Sequence, residues 1–100
     1  MAEYSLLVLS NPVAGREEEY NAWYNDIHLA DVVAVPGIVS ARRFRSLDES
    51  QWKYTAIYSL ECDDPTQVME EVLTRWKTDL MPTSEAFDED TLFMTMIVPI

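Results

Sequence analysis

Helix-like and strand-like segments follow one another in this chain in an order that few folds accommodate. Two segments carry apolar residues three and four positions apart, which is the spacing of an amphipathic helix. Four short segments are rich in β-branched and aromatic residues, which favour strands. Turn-forming pairs such as Asn11-Pro12 and Pro36-Gly37 separate the segments. The predicted order is therefore β-α-β-β-α-β.

The four predicted strands are short and end at polar or turn-forming residues. They are Tyr4–Leu9, Ile38–Arg45, Trp52–Cys62 and Thr91–Val98. Because side chains alternate along a strand, Tyr54 and Tyr58 share one face of the third strand. The same alternation directs Arg42 and Arg43 to opposite faces of the second. The polar stretch 46–51 between these two strands is predicted to be a turn.

The first predicted helix begins with acidic residues after Gly15 and continues with an apolar stripe. Tyr20, Trp23, Tyr24 and Ile27 form this stripe at positions i, i+3, i+4 and i+7. A shorter helical piece is expected over 29–35, ended by the Pro-Gly pair.

The second predicted helix begins at Asp63 or Asp64, has Pro65 in its first turn, and ends before Pro82. Its apolar stripe is predicted to be buried. The stripe comprises Val68, Met69, Val72, Leu73, Trp76 and Leu80.

Two split βαβ units predict an α+β domain over residues 1–100, with a four-stranded antiparallel sheet and both helices on one face. The fourth strand carries few charges, so both of its faces are expected to be buried. The sheet of a second copy is the simplest cover for the face without helices. The sequence therefore predicts a homodimer that forms through sheet faces.

Charge and cysteine content narrow the partners and the compartment. The chain has 100 residues, 18 acidic and 7 basic, with a net charge of −11. Such a surface repels phosphate backbones and anionic membranes, which argues against nucleic-acid or membrane binding. Cys62 is the only cysteine, so no internal disulfide is expected. The N-terminus does not read as a signal peptide and no apolar run approaches the roughly 18 residues of a membrane span. A soluble cytoplasmic protein is predicted.

His28, the only histidine, is the first candidate for chemistry. It lies at the edge of the apolar stripe, one turn after Tyr24, and should point near the cleft between helix and sheet. Histidine exchanges protons near neutral pH, so an acid/base role is one interpretation. Packing or capping at a helix end is the other. The Tyr24 hydroxyl could reach the same cleft, although an aromatic stripe more often forms core.

Several neighbours of this cleft are candidates for substrate binding. Asp31 follows the histidine by three residues and could orient it, or cap the next segment. Arg43 could bind an anion or form a structural ion pair. The remaining candidates are aromatic and could line a pocket or simply pack in the core. They are Trp23, Tyr54, Tyr58 and Trp76.

Sequence signals for cofactors and metals are absent. With only Gly15 and Gly37, the chain has neither a glycine-rich phosphate loop nor a dinucleotide fingerprint. No serine nucleophile elbow occurs, and one histidine with one distant cysteine does not make a zinc site. We expect no metal and no cofactor.

The stretch from Asn11 to Asp31, which includes Trp23-Tyr24-Asn25-Asp26-Ile27-His28, resembles the EthD-like members of the dimeric α/β-barrel superfamily. The Val35-Pro36-Gly37 before the second strand is similar as well. Ala30 stands where that family usually has proline. The resemblance covers about the first 45 residues, and the rest agrees in element order.

This resemblance implies a ferredoxin-like fold that pairs into a dimeric α/β barrel, with a pocket between helices and sheet. The superfamily includes cofactor-independent monooxygenases, polyketide cyclases, isomerases, lyases, decarboxylases and haem-degrading enzymes. We expect a cofactor-independent lyase, isomerase or cyclase in which His28 is the acid/base and Tyr24 binds the substrate oxygen. The substrate would be a small apolar metabolite, aromatic or cyclic. The alternatives are a non-catalytic or stress-associated binding dimer, a cofactor-free monooxygenase and a haem-handling protein.

Overall fold

A computed structural model describes residues 2–48 and 50–100; of the predicted turn at 46–51, Glu49 lies outside the described residues. The strands are β1 (Ala2–Ser10), β2 (Ile38–Arg45), β3 (Tyr54–Cys62) and β4 (Phe93–Ile97). They form one antiparallel sheet in the order β2-β3-β1-β4. With two helical segments packed on it, this sheet confirms the predicted α+β ferredoxin-like fold.

The first helical segment is continuous and contains one wide turn. It consists of α1 (Glu17–Trp23), a π-helical turn (Tyr24–His28) and α2 (Leu29–Val33). The separate short piece predicted over 29–35 is therefore the end of this same helix. The second helix, α3, spans Pro65–Arg75. Asp64 caps it by accepting a hydrogen bond from the Thr66 N–H at 3.0 Å.

One face of the sheet contributes the core. Leu6 and Val8 of β1, and Tyr58 and Leu60 of β3, are buried against the helices, as the alternation in β3 predicts. Tyr20 of α1 is fully buried, and its hydroxyl lies 2.6 Å from Ser10 Oγ. Both helices therefore pack on the same face of the sheet.

The second helix is shorter than predicted, and part of its predicted stripe is wrong. α3 ends at Arg75, and Lys77 adopts a left-handed backbone with φ 69°. The chain turns there, so Leu80 is 61% exposed and Met81 is buried in its place. Leu73, on the last turn of the helix, is exposed as well.

The fourth strand also differs from its prediction. A 3-10 turn over Glu89–Thr91 takes up the start of the predicted segment, so β4 begins at Phe93. Phe93 and Ile97 are exposed in the single chain, which leaves one face of β4 uncovered. The expectation that both faces are buried is therefore not met within one chain.

Candidate active site

A cavity of about 150 Å³ lies between α3, the π-helical turn and the helix-facing side of the sheet. Its wall is mainly apolar, and its polar groups come from Tyr24, His28 and Tyr58, whereas the N–H of the lining Trp76 donates to Glu89 Oε1 at 3.3 Å. The other lining residues are Leu6, Val8, Val32, Val72, Leu73, Met81, Phe87, Leu92 and Met94. A polar group in such a wall is a candidate contact for a bound molecule.

The π-helical turn determines which side chains face this cavity. The Leu29 N–H bonds to the Tyr24 carbonyl, five residues back instead of four. A wider turn advances each residue by a smaller angle, so the side chains beyond it rotate relative to an α-helix. As a result His28 is 7% exposed, whereas Ile27 is 45% exposed. The prediction that Ile27 belongs to the buried stripe is therefore wrong. Single π turns within α-helices occur frequently at functional sites.

The His28 imidazole is enclosed by aromatic rings. The Trp23 ring stacks on it with centroids 4.4 Å apart and an interplanar angle of 18°. Tyr24 and Trp76 present edges at 5.1 Å and 5.6 Å. Nδ1 is buried, and within the described part of the chain no group hydrogen-bonds to it. Burial, followed by the positive charge of Arg43, lowers the pKa of His28 to about 4. At neutral pH the ring is a neutral base.

Two tyrosines supply hydrogen-bond donors in the same wall. The Tyr58 hydroxyl is buried near the Tyr24 hydroxyl, but no atom of the described residues has the distance and angle of a hydrogen bond to it. Burial raises the pKa of Tyr58 well above 10.0. Burial also raises the pKa of Tyr24, against the smaller opposing effect of the neighbouring Tyr58 and Ser10 hydroxyls. Both phenols therefore keep their protons at neutral pH and can donate to a ligand oxygen.

The predicted site residues divide into two groups. Tyr24, His28, Tyr58 and Trp76 line the cavity, while Trp23 lies behind the imidazole. The Trp23 indole N–H donates to the Pro82 carbonyl at 3.1 Å, which fixes the ring.

Three predicted site residues lie outside the cavity lining. Tyr54 donates to the Glu17 carboxylate and accepts from Asn21 at 3.1 Å. Arg43 donates to Asn21 and Asn25 of the helix, and its Nε is buried without a partner among the described residues. Asp31 makes no hydrogen bond to the imidazole. An orienting role for Asp31 is therefore not carried by a hydrogen bond to Nδ1, and it stays a prediction.

Met81 and Phe87 are cavity residues that the sequence analysis missed. Both are buried, although they belong to irregular chain after α3. Irregular segments have no periodicity, so the only signal was an aromatic residue within the acidic stretch 85–90.

Comparison with known proteins gives likenesses in structure only. No family model and no curated protein matches the chain. A "putative monooxygenase" from Shewanella loihica PV-4 superposes with a TM-score of 0.70 at 14% identity, over 99% of this chain and 95% of that one. An ethyl tert-butyl ether D (EthD) family protein from Bacillus halodurans C-125 gives 0.66 at 12% identity, over 100% of both chains.

A DABB family protein with a ferredoxin-like fold, from Mesorhizobium loti MAFF303099, gives 0.61 at 10% identity, over 100% of this chain and 99% of that one. The chain shares the fold of these proteins, which is described as ferredoxin-like for the DABB family protein. The resemblance to EthD-like proteins in the first 45 residues is thus supported at the level of the fold. Within residues 2–48 and 50–100, no helix is both long and apolar enough to cross a bilayer.

Proposed function

We propose that this chain is a cofactor-independent enzyme of the EthD-like group that acts on a small, neutral, apolar ring compound. His28 is its general base, and Tyr58 and Tyr24 bind the substrate oxygen. The observation that carries the proposal is an unpartnered, neutral imidazole in the wall of an apolar cavity that also contains two protonated phenols. Buried polar groups normally have partners, so those without one are candidates for ligand contacts.

The size of the cavity supports a ring-sized ligand. An apolar cavity of about 150 Å³ is large enough to hold benzene in other proteins, and the cavity here has about that volume. A carboxylate would be buried without a paired cation, because Arg43 does not line the wall. A porphyrin is much larger than one ring, so this volume does not favour a haem-handling role.

The chemistry follows from the charge states of the three groups. His28 takes a proton either from a carbon next to a carbonyl group or from the hydroxyl group of a phenol. Negative charge then develops on the substrate oxygen, where Tyr58 and Tyr24 donate hydrogen bonds. The new anion favours the imidazolium and so raises the pKa of His28 during the step. Returning the proton to another atom of the substrate completes an isomerisation. In a lyase the electron pair of the anion instead expels a leaving group, which takes the proton. In a cyclase the anionic carbon attacks a second carbonyl of the same substrate, and the oxygen of that carbonyl takes the proton.

Replacing His28 tests the catalytic role. A positioned general base contributes about 10²–10⁴-fold, so we expect His28→Ala to reduce turnover of a small phenol or cyclic ketone by that range. Far-ultraviolet circular dichroism should show that the fold is retained. A loss of less than about threefold would remove His28 from the catalytic step.

The ligand class is tested with phenol, toluene and benzoate as probes. We expect phenol and toluene to bind and benzoate to be excluded, in titrations followed by the aromatic signals of the protein. Tyr58→Phe should weaken phenol binding about threefold to tenfold and leave toluene unchanged. Equal binding of benzoate, or an equal effect on both neutral probes, would contradict this ligand class.

A cofactor-free monooxygenase is the second candidate, because one of the structural neighbours is described as a "putative monooxygenase". The same base would generate an electron-rich phenolate, which would then react with molecular oxygen. Oxygen uptake that accompanies turnover would favour this candidate over isomerase, lyase or cyclase chemistry. Binding of a ring compound without turnover would favour the non-catalytic binding dimer.

We also propose that the chain forms a homodimer through the face of the sheet without helices. That face presents Leu7, Leu9, Phe44, Ile57 and Phe93, because these residues alternate with the buried ones in register. Phe44 and Phe93 are exposed in the single chain. Covering such apolar surface with a second copy would stabilise a small domain.

A further inference from the structure

Arg43 reaches from β2 to the helix that carries His28. Its Nη1 donates to Asn25 Oδ1 and its Nη2 donates to Asn21 Oδ1, each at 2.8 Å. Asn21 belongs to α1, and Asn25 belongs to the π-helical turn. The two arms of the guanidinium therefore bridge the junction between the α-helix and the wide turn. Arginine is suited to this because its donors form a rigid planar fork.

Three tyrosine rings also surround the guanidinium of Arg43. Its central carbon lies 4.4 Å from the centroid of Tyr24, 5.1 Å from that of Tyr54 and 5.4 Å from that of Tyr20. Cations within about 6 Å of a ring face are attracted to it. Among the described residues, no carboxylate lies within ion-pair distance of Arg43. Its contacts are thus directed at the helix and at the tyrosine that lines the cavity.

The wide turn needs support from outside the helix. π turns are rare, so an isolated helix of this sequence would favour the regular i→i+4 pattern. In that pattern the side chains beyond Trp23 would rotate, and His28 would return to the edge of the stripe. We propose that Arg43 is a positioning residue, whose bridge between Asn21 and Asn25 holds the π-helical turn and thereby keeps the His28 imidazole in the cavity wall. This inference rests on the proposed role of His28 as the base.

The electrostatic surroundings of His28 provide a readout of its position. Tyr24 on its own helix, Tyr58 on β3 and Arg43 on β2 are the titratable or charged groups around it. Burial is the larger cause of its lowered pKa, and the Arg43 charge is the smaller. An imidazole that leaves the wall would regain water, so its pKa would rise toward 6.5.

The test compares two variants with a matched control. Arg43→Lys keeps the charge but loses the fork, and Asn25→Ala removes one anchor at an exposed position. The control is Arg42→Lys, since Arg42 lies on the same strand but contacts Phe44 on the opposite face. NMR then measures the pKa of His28 and the ring-current shift that the stacked Trp23 imposes on it.

In Arg43→Lys and Asn25→Ala we expect the pKa of His28 to rise from about 4 toward 6.5 and the ring-current shift to diminish. Turnover should fall by up to about 10²-fold, the cost of misplacing a catalytic group by about 1 Å. Arg42→Lys should leave the pKa and the ring-current shift of His28 as they are in the unmodified protein.

Unchanged NMR signals of His28 in both variants would overturn the proposal, even if turnover fell. Equal changes in the Arg42→Lys control would overturn it as well. Displacement of His28 in a protein without any turnover would support the positioning role of Arg43 and contradict the proposed enzymatic function. The NMR and turnover measurements therefore distinguish failure of the positioning role from failure of the proposed function.

Discussion

At the scale of single residues, His28 shows how a chain can keep a base neutral without a hydrogen-bonded partner. Stacking on Trp23 and edges from Tyr24 and Trp76 replace the water around the ring. Because these rings exclude water, they favour the neutral imidazole over the imidazolium. Only the attraction of the imidazolium to their π faces acts in the opposite direction. The same enclosure that lowers the basicity of the free site also leaves the imidazole available to a ligand.

The lowered pKa of His28 makes stability depend on pH. The folded value is about 4, below the ordinary 6.5, so the unfolded chain binds the proton more tightly. This contribution is fully present above about pH 6.5 and is lost as the pH falls through 4. Between pH 7.5 and pH 5 we expect a loss of about 2 kcal/mol in the free energy of unfolding.

Urea denaturation of the unmodified protein and of His28→Gln at both pH values measures this loss. The carboxylates titrate alike in the two proteins, so the difference between them isolates the histidine. An equal pH dependence in both proteins would show that the imidazole is not desolvated.

Residue periodicity predicts some of the site and misses the rest for physical reasons. Tyr58 lies within a regular strand, and Tyr24 and Trp76 come directly after the last residues of α1 and α3, so their direction can still be read from spacing. Arg43 and Tyr54 lie on the side of the sheet that faces the helices, but they contact asparagines of the first helical segment and do not line the cavity. Residue spacing predicts the face on which a side chain lies, but it does not predict how far along that face a cavity extends. Phe87 lies in irregular chain, where spacing has no meaning.

At the scale of elements, the π-helical turn is the feature that the residue spacing does not predict. Projection at the α-helical angle places Ile27 inside the stripe and His28 at its edge, and the structure reverses the two. No residue type within the helix encodes the switch to a π-helical turn, because this switch depends on hydrogen bonds from Arg43, which lies on β2. Tertiary contacts thus decide the local helix type here.

A second element-scale feature is the corner where the first helical segment passes into β2. Gly37 has φ 99°, and a Cβ at this position would lie 2.8 Å from Val68 Cγ2 of α3. We expect Gly37→Ala to lower the free energy of unfolding by about 2–3 kcal/mol, because a left-handed backbone and a steric clash combine.

The matched control for this corner is Gly15→Ala. Its φ is 80°, but no atom lies within 4 Å of the added methyl group. We expect Gly15→Ala to lower the free energy of unfolding by only about 1 kcal/mol, because it has the penalty of the left-handed backbone without a steric clash. Urea denaturation compares the two variants, and equal losses would show that the contact with Val68 contributes nothing.

At the scale of the whole molecule, the order of the elements along the chain and the antiparallel arrangement of the strands could be predicted from the sequence. Strand alternation and turn residues carry this information locally, and the two split βαβ units leave few ways to connect the elements. Strand bounds moved by one to two residues at most ends, and α3 ended earlier than the proline suggested. Just after α3, Lys77 has a left-handed backbone and its N–H bonds to the Met81 carbonyl at 2.9 Å, a contact that periodicity does not describe.

The uncovered sheet face gives a prediction for the assembly. We expect a dimeric mass at micromolar concentration by analytical ultracentrifugation. Phe93→Glu should shift the protein to the monomer, because it places a charge on the apolar outer face of β4. Leu80→Glu is a matched control, since Leu80 is also exposed (61%, against 45% for Phe93) but lies on the chain after α3. A monomeric unmodified protein would contradict the proposed homodimer.

The stacking of Trp23 on His28 has one practical consequence. Protonated imidazole quenches the fluorescence of an indole in contact with it, whereas the neutral ring does so weakly. With centroids 4.4 Å apart, the emission of Trp23 should dim as acid protonates its neighbour. The protein thus contains its own optical probe of proton uptake, and anything that enters beside the imidazole should alter the light it emits.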